Sequence, residues 1–335
     1  MKAIAYTQHG LPIKDPRALV DIDLPKPTPG PRDIVVAVKA VSVNPVDTKV
    51  RAGAAVTAPR VLGWDVAGVV DQTGPEVTLF KPGDEVFYAG SITRPGCNSE
   101  FHVVDERIVG RKPASLDFAN AAALPLTSIT AWELLFDRLG VAENGGEGDA
   151  LLIIGAGGGV GSILTQLARR LTRLTVIGTA SRPETREWAL KLGAHHVIDH
   201  RRPLVAQLTQ LGIANVRYVA SLTHTDSYYP QLIDALAPQG RLALIDDPAA
   251  LDAMPLKTKC LSLHWEFMFA RAKYETADMI EQHHLLDRVA ALIDKDVLKT
   301  TLGQHFGVIN AANLRGAHAL LESGAARGKI VLEGF

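Results

Sequence analysis

The run Ala150-Leu-Leu-Ile-Ile-Gly155-Ala156-Gly157-Gly158-Gly159-Val160-Gly161-Ser162 constrains this chain more than any other stretch. Five apolar residues without alternation read as a strand buried on both faces, and the glycines after them lead straight into a helical pattern over residues 160–171. Strand, glycine turn and helix start, in that order, form the fingerprint that takes a dinucleotide. Amides at the helix start point toward a pyrophosphate, and residues without side chains let the phosphates approach. Aligned from its end, the fingerprint is Ala156-x-Gly158-x-x-Gly161, with Gly155, Gly157, Gly159 and Val160 completing the turn. Such a turn can also serve only tight strand–helix packing, so its flanks decide between the two.

Those flanks alternate. Strands are expected at 150–154, 175–179, 196–198, 216–220, 241–245 and 261–268, and helices at 126–139, 160–171, 183–192, 204–211 and 229–237. Alternation of this kind implies a doubly wound parallel sheet of the Rossmann type. The first third reads differently. Pro and Gly punctuate short β-rich runs at 34–43, 66–71, 85–88 and 100–104, as in a compact β domain. After residue 269 come helices at 280–293 and 311–321 and a strand at 329–332, whose domain the periodicity alone leaves open.

The second strand of a dinucleotide fold ends about 20 residues beyond the glycines, where a carboxylate would hold the adenosine ribose of NAD. Here the residues are Gly178-Thr179-Ala180-Ser181-Arg182. A hydroxyl and a guanidinium suit a 2′-phosphate, which a carboxylate would repel, so NADPH is expected with Ser181 and Arg182 as ligands. The bland alternative is a solvated helix start at Arg182 and Arg186, with Glu184 pairing one of them.

Composition removes other function classes. With 35 Lys+Arg against 36 Asp+Glu and 6% aromatic residues, there is neither a basic field nor a stacking platform for nucleic acid. No apolar run approaches 18 residues, and the start lacks a signal peptide's apolar core, so a protein of the cytoplasm with no membrane partner is expected. Cys97 and Cys260 make no metal spacing and read as reduced thiols.

Asn44-Pro-Val-Asp47-Thr, Gly63-Trp64-Asp65-Val-Ala-Gly68, Gly83-Asp-Glu-Val-Phe-Tyr88, Ala121-Ala-Ala-Leu-Pro-Leu-Thr127 and Thr130-Ala-Trp132 follow one another in a recognisable order. In them the sequence resembles the medium-chain dehydrogenase/reductase superfamily, and within it the quinone oxidoreductase branch that includes zinc-type alcohol dehydrogenase-like proteins. The resemblance spans essentially the whole chain. It implies a GroES-like β-rich catalytic domain built from residues 1–126 and 270–335, with the Rossmann NADPH-binding domain at 127–269 between them. It also implies a homodimer formed by pairing the last strand of the cofactor sheet.

Zinc members of that superfamily carry Cys where this chain has Asn44 and His where it has Trp64, and a third ligand would fall near Leu126 or Thr127. None of these is a soft donor, so no metal is expected. The tandem pairs His195-His196 and His283-His284 do not set both rings on one helix face and read as surface histidines.

The reaction implied is hydride transfer to a small-molecule quinone or α,β-unsaturated carbonyl, whose product anion needs only hydrogen-bond donors and not a Lewis acid. Carried over residue by residue, Asn44 is expected to contact the substrate oxygen or the nicotinamide, and Asp47 to order that loop. Neither looks like an acid at neutral pH. Thr127 and Thr130 are expected against the nicotinamide, or as helix caps. Relatives often have Tyr soon after Asn-Pro-x-Asp, where this chain has Lys49 and Arg51. Lys49 is thus a candidate proton donor, or else an exposed loop lysine. Trp64 and Tyr88 are candidate pocket walls, Trp64 equally a core residue. The cluster Trp265-Glu-Phe-Met-Phe269 suits either a pocket wall or the dimer interface, and Lys329 either the cofactor phosphate or solvent. Competing readings are an alcohol or aldehyde dehydrogenase with an unusual site, and a catalytically silent NADPH-binding sensor.

Overall fold

The computed structural model describes residues 1–335, which divide into two units: Met1–Ile129 with Phe269–Phe335, and Thr130–Met268. The segment after residue 269 thus completes the N-terminal unit, while Thr127 belongs to the first unit and Thr130 to the second.

In the first unit the 11-residue strand Asp33–Val43 organises the sheet. It is buried on nearly every residue because it has neighbours on both edges. Val66–Thr73 pairs antiparallel along one edge. On the other edge Phe101–Asp105 covers residues 33–37, and the C-terminal strand Lys329–Glu333 covers residues 40–43, with Ile330 opposite Val43. That last pairing brings the end of the chain beside Asn44. Glu85–Tyr88 and Val109–Arg111 extend the far side, Leu302–His305 pairs parallel with Lys329–Glu333, and a small three-stranded sheet joins Val20–Asp23, Lys2–Tyr6 and Arg60–Val61. The short strand Leu302–His305 carries no sequence signal of its own, with Gly303, Gln304 and His305 holding three of its four places.

The second unit is a six-stranded parallel sheet in the order His196–Ile198, Thr175–Thr179, Ala150–Ile154, Val216–Ser221, Leu236–Leu244, Ser262–Trp265. Counted along the chain this is 3-2-1-4-5-6, the doubly wound order, and its switch point lies between Ala150–Ile154 and Val216–Ser221. Leu152, Ile154, Val219, Leu242 and Leu244 are all buried in the core. Each such side chain contributes roughly 1.5–3 kcal/mol on burial.

Several elements differ from their expected bounds: the strand expected at 241–245 is Leu236–Leu244, the one expected at 261–268 is Ser262–Trp265, and two helices change as well. The helix expected at 229–237 starts earlier, at Thr225, because the Thr225 amide and hydroxyl are both held by the Asp246 carboxylate; Pro230 then sits inside it. The helix expected at 126–139 is Pro125–Trp132 followed by a widened π turn, Glu133–Arg138, whose bond from Leu139 N to Leu134 O spans five residues.

Candidate functional site

Asn44 follows the central strand of the first unit directly and caps the helix Pro45–Gly53. Its backbone is extended (φ −133°), Pro45 presets the first helical turn, and the Asp47 Oδ2 accepts the Asn44 amide at 2.6 Å. Asp47 therefore orders this loop from within the helix it starts. It is fully buried, and its Oδ1 has no partner. Burial, only partly offset by the Asn44 amide and the Lys329 charge, pushes its carboxyl up to about 7. The expectation that Asp47 is no acid near neutral pH is corrected by that burial.

Around Asn44 the first unit gathers a closed polar cluster. The Lys329 Nζ, 3% exposed, donates to Val43 O at 2.9 Å and to Asn44 Oδ1, and pairs with Asp65 Oδ2 at 2.9 Å. Asn44 Nδ2 donates to the same Asp65 Oδ2 at 2.8 Å, and Leu126 N donates to Asp65 Oδ1 at 2.8 Å. Burial raises Asp65, and Lys329 pulls it back.

Several expectations change here. All three ammonium donors of Lys329 are used inside the first unit, so they are not spare for a cofactor phosphate. Asn44 is 1% exposed, with its Oδ1 accepting from Lys329 and its Nδ2 donating to Asp65. Trp64 is 1% exposed, with its ring edge-on to Phe269 at 6.1 Å and Nε1 donating to Ser91 O, so its core role is the one the packing supports. Tyr88 is not a pocket wall. It is wholly buried and its hydroxyl meets His102 Nδ1 at 3.0 Å. Because His102 Nε2 faces the Pro95 carbonyl at 3.0 Å and must donate there, Nδ1 is the acceptor and the Tyr88 proton points inward. Burial lowers His102 to about 4 and raises Tyr88, so both stay neutral. Lys49 lies on the exposed side of its helix. Thr127, inside the helix Pro125–Trp132, donates its Oγ1 proton back to Leu124 O at 3.2 Å rather than accepting a first-turn amide as a cap would, and Thr130 is buried in the second unit.

Zinc does not fit these positions. The donors that converge are an amide, a carboxylate, a carbonyl and an ammonium, and no three His, Cys, Asp or Glu side chains form a ligand group. Cys97 and Cys260 are free, and burial pushes the Cys97 thiol up. His195 and His284 are exposed, as expected of surface histidines, although His195 Nδ1 also accepts Val176 N at 2.9 Å; His283 is instead buried and bonds Val109 O.

In the second unit the glycine turn fits a dinucleotide. Gly155 turns at φ +85°, its amide donating to Thr179 Oγ1 at 3.0 Å. Gly158 caps the helix Gly159–Leu171, and a Cβ there would approach only the Gly155 oxygen, at 3.6 Å, so the cradle is open. Gly161 is closed instead: a Cβ would overlap the Gly155 carbonyl oxygen, because helix and turn touch there. Ala156 is buried, and Gly157 packs against Thr185. Gly159, Val160 and Gly161 supply first-turn amides that have no acceptor within the helix.

Ser181 and Arg182 follow strand Thr175–Thr179, both half-buried, with Arg182 Nε 3.6 Å from Glu184 Oε1. Arg201 joins them, a residue that sequence reasoning missed. Its Nη2 donates to Ser181 O at 3.0 Å, and its guanidinium grips Asp199 through Nε (3.0 Å) and Nη2 (2.7 Å), holding that carboxyl down at about 2. The signal was its place just after the strand His196–Ile198, which the 3-2-1 order sets beside Thr175–Thr179. Asp65 was the other omission, although it follows Trp64 in a quoted motif.

Comparison with known proteins gives consistent matches. Residues 30–114 match the alcohol dehydrogenase GroES-like domain, and residues 192–332 the zinc-binding dehydrogenase family. A zinc-type alcohol dehydrogenase-like protein of Staphylococcus aureus is 45% identical over 312 residues, 92% of each chain. The crystal structure of a Rhizobium etli protein assigned to the zinc-dependent alcohol dehydrogenases is 59% identical, with a TM-score of 0.97 over 100% of this chain and 98% of that one. Escherichia coli quinone oxidoreductase, complexed with NADPH, is 26% identical with a TM-score of 0.85, covering 99% and 100%.

Proposed function

The chain belongs to the medium-chain dehydrogenase/reductase superfamily of oxidoreductases, with a GroES-like unit and a Rossmann unit, and on that footing we propose that it is a zinc-independent, NADPH-dependent reductase of quinones or α,β-unsaturated carbonyl compounds. The observation that carries this reading is the cluster of Asn44, Asp65 and Lys329, where an ammonium stands among hard oxygen acceptors and the neighbouring Cys97 thiol is held protonated by burial. Without a Lewis acid, an acceptor that delocalises its own developing charge is favoured over a simple alcohol, whose oxidation needs a strong base.

When bound, NADPH supplies the hydride. The protein's part is to hold it. First-turn amides at Gly159–Gly161 take the pyrophosphate, and Ser181, Arg182 and Arg201 surround the place of a 2′-phosphate. Asn44 and Asp47 keep the loop at the end of the central strand in one conformation. The chain is further read as a homodimer. Strand Ser262–Trp265 is the edge of its sheet and carries Trp265, 53% exposed, with Phe267 also exposed beyond it. No helix is long and apolar enough to cross a membrane.

Fluorescence titration with NADPH and NADH, followed by NADPH consumption with a quinone and an enone with and without chelator, tests this function. NADPH preference with chelator-insensitive turnover is the expected result. Turnover abolished by chelator would overturn the metal-free reading, and binding without turnover on either acceptor would leave a nucleotide sensor.

A further inference from the structure

We propose that Lys329 is the fixed cation of the Asn44–Asp65 cluster: a positioning residue that sets the orientation of the Asn44 amide, neutralises Asp65 and occupies the ground a divalent metal would need. The inference deepens the metal-free reading above and rests on it for its catalytic meaning, though not for its geometry.

An ammonium has three donors and no acceptor. Those of Lys329 meet Val43 O, Asn44 Oδ1 and Asp65 Oδ2, and nothing is left over. The Asn44 amide follows from this. Flipping it would turn its NH2 toward an ammonium and its oxygen toward a carboxylate, two repulsive contacts in place of two attractive ones. Asp65 is equally spoken for, with Oδ2 shared between Lys329 and Asn44 and Oδ1 taken by the Leu126 amide. The groups facing this pair from the packed elements are Asp47 on the helix Pro45–Gly53 and the Cys97 thiol, which donates to Asp65 O at 3.5 Å. Neither brings a positive charge, so Lys329 is the counter-charge on which the Asp65 carboxylate depends.

A divalent ion could enter only by displacing an ammonium that is 3% exposed and held by three acceptors. A zinc-type relative's name therefore does not carry over as a metal site in this chain.

The tests read metal and folding, not turnover, so loss of quinone reduction alone would count against the proposed function and leave this inference standing. Wild-type protein equilibrated with zinc and desalted should retain substoichiometric metal; one zinc per chain would overturn the proposal. In Lys329→Met the side-chain bulk stays and the charge goes. Asp65 is then a buried carboxylate without counter-charge and must take a proton to fold. The folding equilibrium of Lys329→Met relative to wild type should fall about tenfold for each pH unit above the ordinary carboxylate range. Lys329→Met/Asp65→Asn should abolish that added slope and recover stability, because both charges leave together. An unchanged pH profile in Lys329→Met would reduce Lys329 to packing. Should Lys329→Met fail to fold, a folded double variant supports the proposal, and a double variant no more stable than the single one refutes it.

Discussion

Asp47 offers a sharp test of how burial governs this fold. Its carboxyl is fully buried with one oxygen on the Asn44 amide and the other without a partner, and burial lifts it from 3.8 to about 7. An unfolded chain releases this proton near 3.8, and the folded chain holds it until about 7. Between those values folding takes up a proton, so the stability contributed by this group is complete below the unfolded value and is lost as pH rises through the folded one. At about 1.4 kcal/mol per pH unit, the whole span is worth about 4 kcal/mol, of which about 3 kcal/mol falls between pH 5 and pH 7. Asp47→Asn keeps an acceptor for the Asn44 amide and cannot ionise. Urea denaturation of both proteins from pH 5 to pH 8 checks this, with amide protection in Asp33–Val43 reporting the first unit. The stability of wild type relative to Asp47→Asn should fall by about 3 kcal/mol up to pH 7 and then level off. A difference that stays flat, or that rises with pH, would show that the carboxyl is not held protonated by burial.

Arg201→Ala should weaken NADPH roughly 10- to 100-fold, as loss of a charge-assisted phosphate contact does, and leave NADH affinity unchanged; parallel fluorescence titrations decide. Gly161→Val should abolish cofactor binding, since its Cβ has no room against the Gly155 carbonyl, and the overpacking should cost roughly 1–3 kcal/mol in thermal or urea unfolding. Leu152→Ala, in the middle of the parallel sheet and fully buried, should cost roughly 2–5 kcal/mol. A loss below about 1 kcal/mol in urea unfolding would mean that the core collapses around the vacancy.

The cofactor unit was legible in the chain because its signals are local. Five apolar residues followed by Gly155–Gly161 declare strand, turn and helix within one short segment, and the alternation beyond it implies the parallel sheet. The family motifs pointed likewise to Asn44, Asp47 and Trp64 as members of one region. What each side chain does there was not legible. Tyr88 read as a pocket wall, whereas the fold buries it against His102, 14 residues on, from a strand it does not pair with. Arg201 was invisible as a partner of Ser181 because only the strand order makes them neighbours.

Lys329 shows the division most plainly. By itself, a lysine between Gly328 and Ile330 near a chain end reads as a solvated charge or a phosphate ligand, since nothing within several residues needs it. Sequence alone determined that residues 329–332 form a strand, through the apolar run Ile330-Val-Leu. Only the antiparallel register of Ile330 with Val43 decided that its ammonium lies against Asn44, 285 residues away, and against Asp65. Local periodicity specifies an element from its own residues, but a charge is paid for by whatever the tertiary fold sets beside it, and burial makes that pairing obligatory.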